Sequence, residues 1–424
     1  MRHLALLLAL VGSHTFAVKT AAAQEAPPAE PAAPIEPAPL QPAAPSGPSA
    51  EPPAAPAGPS TSPTTSAGPP TSPAPEVVST QPLIEDRYPV SSGGASFPLG
   101  LNLDALKLEG HLSIYSQYVL SLRSDAGETS WFHEFELPRG HARVDAQYEE
   151  ARARVLVEAV RSASEGSLLG VAGDSFVVRM REAWGSYTAW EVLEARLGLV
   201  PTMTIGPVEG LWGMRQLNAT GIERTNLHVA ADLGGTIRGL FPEGYGWVGV
   251  GAYNGEGYAQ RELNRGKNVE LAAVVHPFAF EESTKPITVQ LSYLAGSRGT
   301  ALGRSDRLTA SLGWMGDMFR GGASFTYAWG IDEQPDTTAL LGEAFLRVMP
   351  IPKLSLGASA LTYLRDTSRT DDYQVAITGG AGYFFVDPLG LFLAVDGLLQ
   401  GAESEQANTP RDDVRLRVVG ALEF

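Results

Sequence analysis

The chain has 424 residues, a formal net charge of −16, no cysteine and 44% hydrophobic residues. That length accommodates two or three ordinary domains or one large barrel. The lack of thiols excludes a disulfide framework, thiolate metal sites and a lipoprotein anchor, and the acidic balance argues against nucleic acid as a partner.

The first residues read as a secretory signal. Arg2 and His3 form a basic n-region, residues 4–11 a short apolar run, and Ala21-Ala22-Ala23 a small-residue cleavage site, with Ala17 as the alternative. The run is too short to span a bilayer as a helix, and no later segment is long and apolar enough to do so, which predicts export rather than helical insertion. Residues 24–100 hold most of the 32 prolines, together with Ala, Ser and Thr. Such a composition cannot bury enough apolar surface to offset its ordering entropy. It predicts an extended, partly polyproline-II periplasmic linker without a packed fold. A grip on peptidoglycan is the functional reading of this arm, and a solvated spacer is the simpler one. The domain scheme is a signal peptide over 1–23, a Pro/Ala/Ser-rich disordered linker over 24–100 and a β-barrel over 101–424.

After Pro98 turn signals recur and the runs between them alternate with a period of two, the mark of strands with one apolar and one polar face. Sixteen strands are predicted, over 105–122, 135–148, 151–160, 176–189, 192–200, 229–240, 245–253, 268–276, 287–294, 307–315, 321–329, 339–348, 353–363, 373–385, 389–399 and 414–424. In the first, Leu106, Leu108, Gly110, Leu112 and Ile114 oppose Lys107, Glu109, His111, Ser113 and Tyr115. In the last, Val414, Leu416, Val418, Gly420, Leu422 and Phe424 oppose Arg415, Arg417, Val419, Ala421 and Glu423. That closing strand ends on Phe424, which resembles the signal read by the barrel-assembly machinery of Gram-negative-type outer membranes.

The connections alternate short and long. Glu149-Glu150, Trp190-Glu191 and Gly316-Asp317-Met318 are short, whereas 124–134, 201–228 and 331–338 are long. Tight periplasmic turns and longer external loops produce this rhythm in a membrane barrel, and an even strand number puts both termini on the periplasmic side. Aromatics near strand ends, among them Tyr187, Trp190, Trp247, Trp329, Tyr363 and Phe385, are placed as interfacial girdles against outer-membrane lipid.

In so wide a barrel the polar face lines water. The pore-lining candidates are Arg143, Arg152, Arg154, Arg179, Arg181 and Arg196 with Glu158. A cationic wall in a low-dielectric tube concentrates anions, whereas pairing of these arginines with acids across strands would leave only a solvated lumen. The long 201–228 connection is expected to fold inward. Trp212 would then pack on the wall while Glu209, Arg215, Glu223 and Arg224 form the constriction. Seven scattered histidines and the lack of an HExxH or P-loop pattern give no catalytic site, metal site or cofactor.

Residues 135–160, FELPRGHARVDAQYEEARARVLVEAV, resemble the opening hairpin of the phosphate-selective porin O and P family. Met180-Arg181-Glu182-Ala183-Trp184, the segment 195–213, Ile222-Glu223-Arg224-Thr225 and WVGVGAYNGEG at 247–257 follow in the order of that family's motifs. The resemblance implies a sixteen-stranded, homotrimeric, water-filled channel. Lys is scarce throughout, and phosphate selectivity is not carried over. The expected function is passive diffusion of small hydrophilic or anionic solutes across an outer membrane, with mild anion preference. The alternative is a structural barrel tethered to the cell wall by its Pro-rich arm.

Overall fold

The computed structural model describes residues 97–98, 106–125, 128–161, 176–260, 265–280, 285–300, 302–331, 334–386, 388–402 and 411–424. The proposed signal peptide and nearly all of the proposed linker lie outside the described residues. Within them the chain forms a closed antiparallel barrel of sixteen strands. The strands are β1 (Leu106–Asp125), β2 (Glu128–Tyr148), β3 (Ala151–Arg161), β4 (Phe176–Ala189), β5 (Leu193–Pro201), β6 (Ala231–Phe241), β7 (Gly246–Tyr253) and β8 (Asn268–Val275). They continue as β9 (Ile287–Ala295), β10 (Asp306–Met315), β11 (Phe319–Ile331), β12 (Gln334–Ile351), β13 (Leu354–Leu364), β14 (Tyr373–Val386), β15 (Leu389–Gln400) and β16 (Arg411–Glu423). Each pairs with its neighbours in sequence.

The ring closes where β16 pairs with β1, with Val418 opposite Tyr118 and Gly420 opposite Ser116. Phe424 extends this seam: its amide donates to Leu112 O at 2.8 Å and its carbonyl accepts from Leu112 N at 3.1 Å. Closure leaves no unpaired edge. A two-residue piece, Phe97–Pro98, pairs with Gly110 and Glu109 beyond the end of β16.

Register follows the alternation. On β16, Val414, Leu416 and Val418 face outward and Arg417, Val419, Ala421 and Glu423 are buried inside, the two faces expected from the sequence. The β4–β5 turn is tight because Trp190 and Glu191 both adopt left-handed backbone angles (φ 52° and 61°), which match the right-handed twist of the flanking strands.

Several boundaries differ from those expected. The 124–134 and 331–338 stretches are not long loops. β1 and β2 pair out to Asp125 and Glu128, and β11 and β12 to Ile331 and Gln334, because the ladder hydrogen bonds continue beyond the apolar belt that the alternation reports. Trp247 and Tyr363 are buried inside the barrel and not in an outer girdle. Trp247 lies under Arg238, whose guanidinium carbon is 4.6 Å from the ring centroid. Trp190, Tyr187 and Phe385 do face outward and are exposed.

Candidate functional site

Between β5 and β6 the chain turns into the barrel. It forms α1 (Ile205–Trp212) and the short α2 (Gly221–Arg224), neither of which the strand-like periodicity signals. Pro207 falls in the first turn of α1, where a missing N–H costs nothing. Gly213 ends the helix in the left-handed conformation (φ 58°), its amide bonded to Glu209 O at 2.8 Å.

The apolar face of this insert covers the inner wall of β11–β16. Val208, Leu211, Trp212, Met214 and Leu217 are buried against Leu341, Phe345, Leu361, Ala376 and Val419. The Trp212 and Phe345 ring centroids stand 5.8 Å apart, and the Trp212 indole N–H donates to Asn218 O at 3.0 Å. This wall is apolar because it carries a packed segment.

Charged wall residues pin the insert. Glu270 on β8 accepts from Met203 N at 2.9 Å, Thr204 Oγ1 at 2.6 Å and Tyr253 OH at 2.8 Å, just before the N-terminus of α1. Arg347 on β12 donates to Gly213 O at 3.2 Å, just past the C-terminus. Glu343 accepts from Gly221 N at 2.6 Å, and a Cβ at residue 221 would come within 2.9 Å of its carboxylate. Glu423 on β16 accepts from Gln216 Nε2 at 2.6 Å and from Tyr115 OH at 2.9 Å.

The opposite face of the insert meets the arginine-rich strands. Glu223 accepts from Arg215 at 2.6 Å and from Arg139 at 3.1 Å, and lies 3.4 Å from Arg181. Burial pushes its carboxyl up, but Arg215 and Arg181 outweigh that and hold it below the usual carboxylate range. Arg215 also pairs with Glu209. Glu158 on β3 collects Arg179 at 2.7 Å, Arg181 at 3.4 Å, His141 at 3.3 Å and the Tyr258 hydroxyl at 2.7 Å.

The sequence candidates thus separate into groups. Glu158, Arg179, Arg181, Glu209, Arg215 and Glu223 form one connected network around the insert. Arg143 and Arg154 share Asp145, at 2.8 and 2.5 Å. Arg196 pairs with Glu194 at 3.0 Å, its guanidinium over the Trp184 ring. Arg152 lies on the inner face in register with Gln147 and Ser186. Trp212 belongs to the apolar core, and Arg224 stands on the far side of the insert. The arginines of β2–β5 are therefore mostly paired with acids and do not form a bare basic stripe.

The insert divides the lumen. Against β3–β5 a space of about 90 Å3 remains, bordered by Arg154, Arg181, Glu182 and Trp212. Against β1, β2 and β14–β16 a larger cavity of about 660 Å3 opens. Its charged lining consists of Arg139, Arg215, Arg224, Arg415 and Arg417 with Glu136, Asp396 and Asp413. The site candidates drawn from sequence include Arg215 and Arg224 of this set, and the alternation of β16 already places Arg415 and Arg417 on the inward face. Asp396 carries a usable signal, a lone carboxylate inside the apolar run of β15, as does Glu270 in β8. Among the described residues no group of His, Asp or Glu converges as a metal site, and no helix is long and apolar enough to cross a membrane.

No family model matches the sequence, and no curated protein does. The likeness to the phosphate-selective porin O and P family remains one of short motifs. Solved outer-membrane porins do share the fold. The Salmonella typhi OmpF complex with daunomycin superposes with a TM-score of 0.56 at 13% identity, covering 76% of this chain and 98% of that one. An anion-selective porin from Comamonas acidovorans gives 0.54 at 11%, covering 75% and 99%. Outer-membrane-expressed OmpT of Vibrio cholerae gives 0.53 at 12%, covering 76% and 99%.

Proposed function

We propose that the chain forms a water-filled pore in a Gram-negative-type outer membrane, through which small hydrophilic solutes diffuse passively with a mild preference for anions. One observation carries this reading, the inverted burial of the strands. On β9, Thr288, Gln290 and Ser292 are each 2% exposed, whereas Val289, Leu291 and Tyr293 are 40%, 55% and 36% exposed. Leu197, Leu271, Leu312, Ile377 and Leu393 extend the exposed apolar surface around the barrel. A polar interior inside an apolar exterior is stable where the outer phase is lipid and the inner one is water.

The insert sets the width of the path and leaves the larger cavity as the route. The anion preference rests on that cavity, whose lining holds five arginines against three carboxylates. The homotrimer and the assembly machinery implied by the motif resemblance belong to the same reading. The tether alternative concerns residues outside the described ones.

Purified protein in planar bilayers should show stepwise ohmic conductance, and proteoliposomes should swell in arabinose. A barrel giving neither would overturn the reading. Cross-linking in the native membrane tests the trimer.

A further inference from the structure

Arg224 differs from the other arginines of the larger cavity. Arg139 and Arg215 engage Glu223, Arg415 donates to Glu136 at 3.2 Å, and Arg417 grips Asp396 through two bonds of 2.6 and 2.8 Å. The Arg224 side chain is exposed to the lumen and makes no ion pair or side-chain hydrogen bond among the described residues, while Asp396 and Glu343 attract it from a greater distance. Its backbone is nevertheless fixed. The Arg224 amide donates to Thr220 O at 3.0 Å, and the Gly221 amide that opens the turn is held by Glu343.

Asn218 and Gln374 are among the side-chain amides that line the same cavity. One N–H of Asn218 Nδ2 donates to Thr378 Oγ1 at 2.8 Å, its second N–H remains, and its Oδ1 is buried without a donor. The Gln374 side chain has no partner among the described residues. A preorganised cation beside unspent amide groups is the pattern of a polar-solute subsite.

We propose that this cavity binds a small hydroxylated monocarboxylate, with its carboxylate on Arg224 and its hydroxyls on Asn218 and Gln374. A single free guanidinium offers one planar fork, which matches a carboxylate. Arg139, Arg215, Arg415 and Arg417 are already held by Glu223, Glu136 and Asp396, so the cavity offers a solute one cation outside these pairs, which a monoanion matches better than inorganic phosphate. A solute hydroxyl accepts from the second Asn218 Nδ2 N–H. The proposal deepens the pore reading and rests on it only in that solute enters through the lumen.

The test is calorimetric titration of detergent-solubilised full-length protein with sodium gluconate, gluconamide and inorganic phosphate, beside arabinose swelling of proteoliposomes. Saturable gluconate binding is expected, weakened about tenfold or more in Arg224→Gln and partly restored in Arg224→Lys. Gluconamide should not bind, and phosphate should bind more weakly than gluconate. Gln374→Leu, which alters no charge, should weaken gluconate several-fold and serves if Arg224→Gln does not fold. Gluconate binding indifferent to both changes, gluconamide binding equally well, or phosphate binding more tightly would each overturn the subsite. So would arabinose flux without saturable gluconate binding. Arg224-dependent gluconate binding without arabinose flux would instead sustain the subsite and remove the pore reading.

Discussion

Glu270 and Arg347 hold the two ends of one helix. Glu270, on β8, takes the Met203 amide and the Thr204 hydroxyl before α1, and Arg347, on β12, donates to the Gly213 carbonyl after it. Each charge meets the helix end of opposite partial charge and satisfies backbone groups that a short helix leaves unpaired. Replacing Glu270 with Ala should therefore free the insert at its root. The loss is on the order of 2–3 kcal/mol, the worth of hydrogen bonds to a charged acceptor. A lower melting temperature in detergent, together with noisier open-channel current, is the expected result. Unchanged melting and noise would mean that the apolar packing alone fixes the helix.

Glu223 sits among Arg139, Arg181 and Arg215, and its pKa lies below the ordinary Glu value. The stability it contributes is thus present above the unfolded pKa and is lost as pH falls through the lowered folded one. The pinned conductance should hold from neutrality down to about pH 4, the ordinary Glu value, and change only below it. Glu223→Gln should show the low-pH behaviour already at pH 7. Identical pH profiles of conductance for the two proteins would exclude this carboxylate as the clamp.

Trp212 is fully buried between the insert and the β12 wall, against Phe345. Trp212→Ala should cost about 3–5 kcal/mol through lost burial and a cavity. The barrel ladder itself does not pass through this contact. The variant should keep its heat-modifiable mobility on gels while its conductance rises as the insert loosens. A conductance equal to that of the parent would show that the insert stays seated without it.

At the seam, Phe424 joins Leu112 through two backbone hydrogen bonds, and its strand presents Leu416 outward. Deletion of Phe424 should impair assembly into the membrane while leaving export intact. Leu416→Arg should cost about 2–4 kcal/mol if this position lies near the bilayer midplane. Fractionation separates the outcomes: unassembled protein is expected in the periplasm, and full assembly of both variants would contradict an outward apolar seam.

Arg154 shares Asp145 with Arg143 and reaches Glu182 at 3.8 Å, and Arg152 precedes it on the same face. Reversing Arg152 and Arg154 to Glu takes Arg154 from Asp145 and Glu182, leaves Asp145 with Arg143, and adds two negative charges to the lumen wall. Selectivity should move toward cations, and the shift should shrink in high salt as screening shortens. The reversal potential in a dilute salt gradient reads it directly. No shift there would place these groups outside the ion path.

The barrel itself was legible in the chain because a strand's two faces are a local, period-two property. Val414, Leu416 and Val418 face the outer phase wherever β16 finds its partner, and one misplaced register would move them all inside. Strand number, the mostly tight turns and the closing seam follow from repeating that local rule. The interior is different, since its contacts depend on closure. Gln216 meets Glu423 across 207 residues of sequence, and Arg417 meets Gln117 across 300. Alternation marks an arginine as inward but not which carboxylate stands opposite it. Nor does it tell that Phe345 faces inward to receive Trp212 and not to face lipid. The three-dimensional structure alone decided that the insert lies on the β11–β16 wall, that most of the β2–β5 arginines pair with acids, and that Arg224 stands outside these ion pairs in the larger cavity. Side-chain pairing across a closed ring is a long-range choice, made only once every strand has its place.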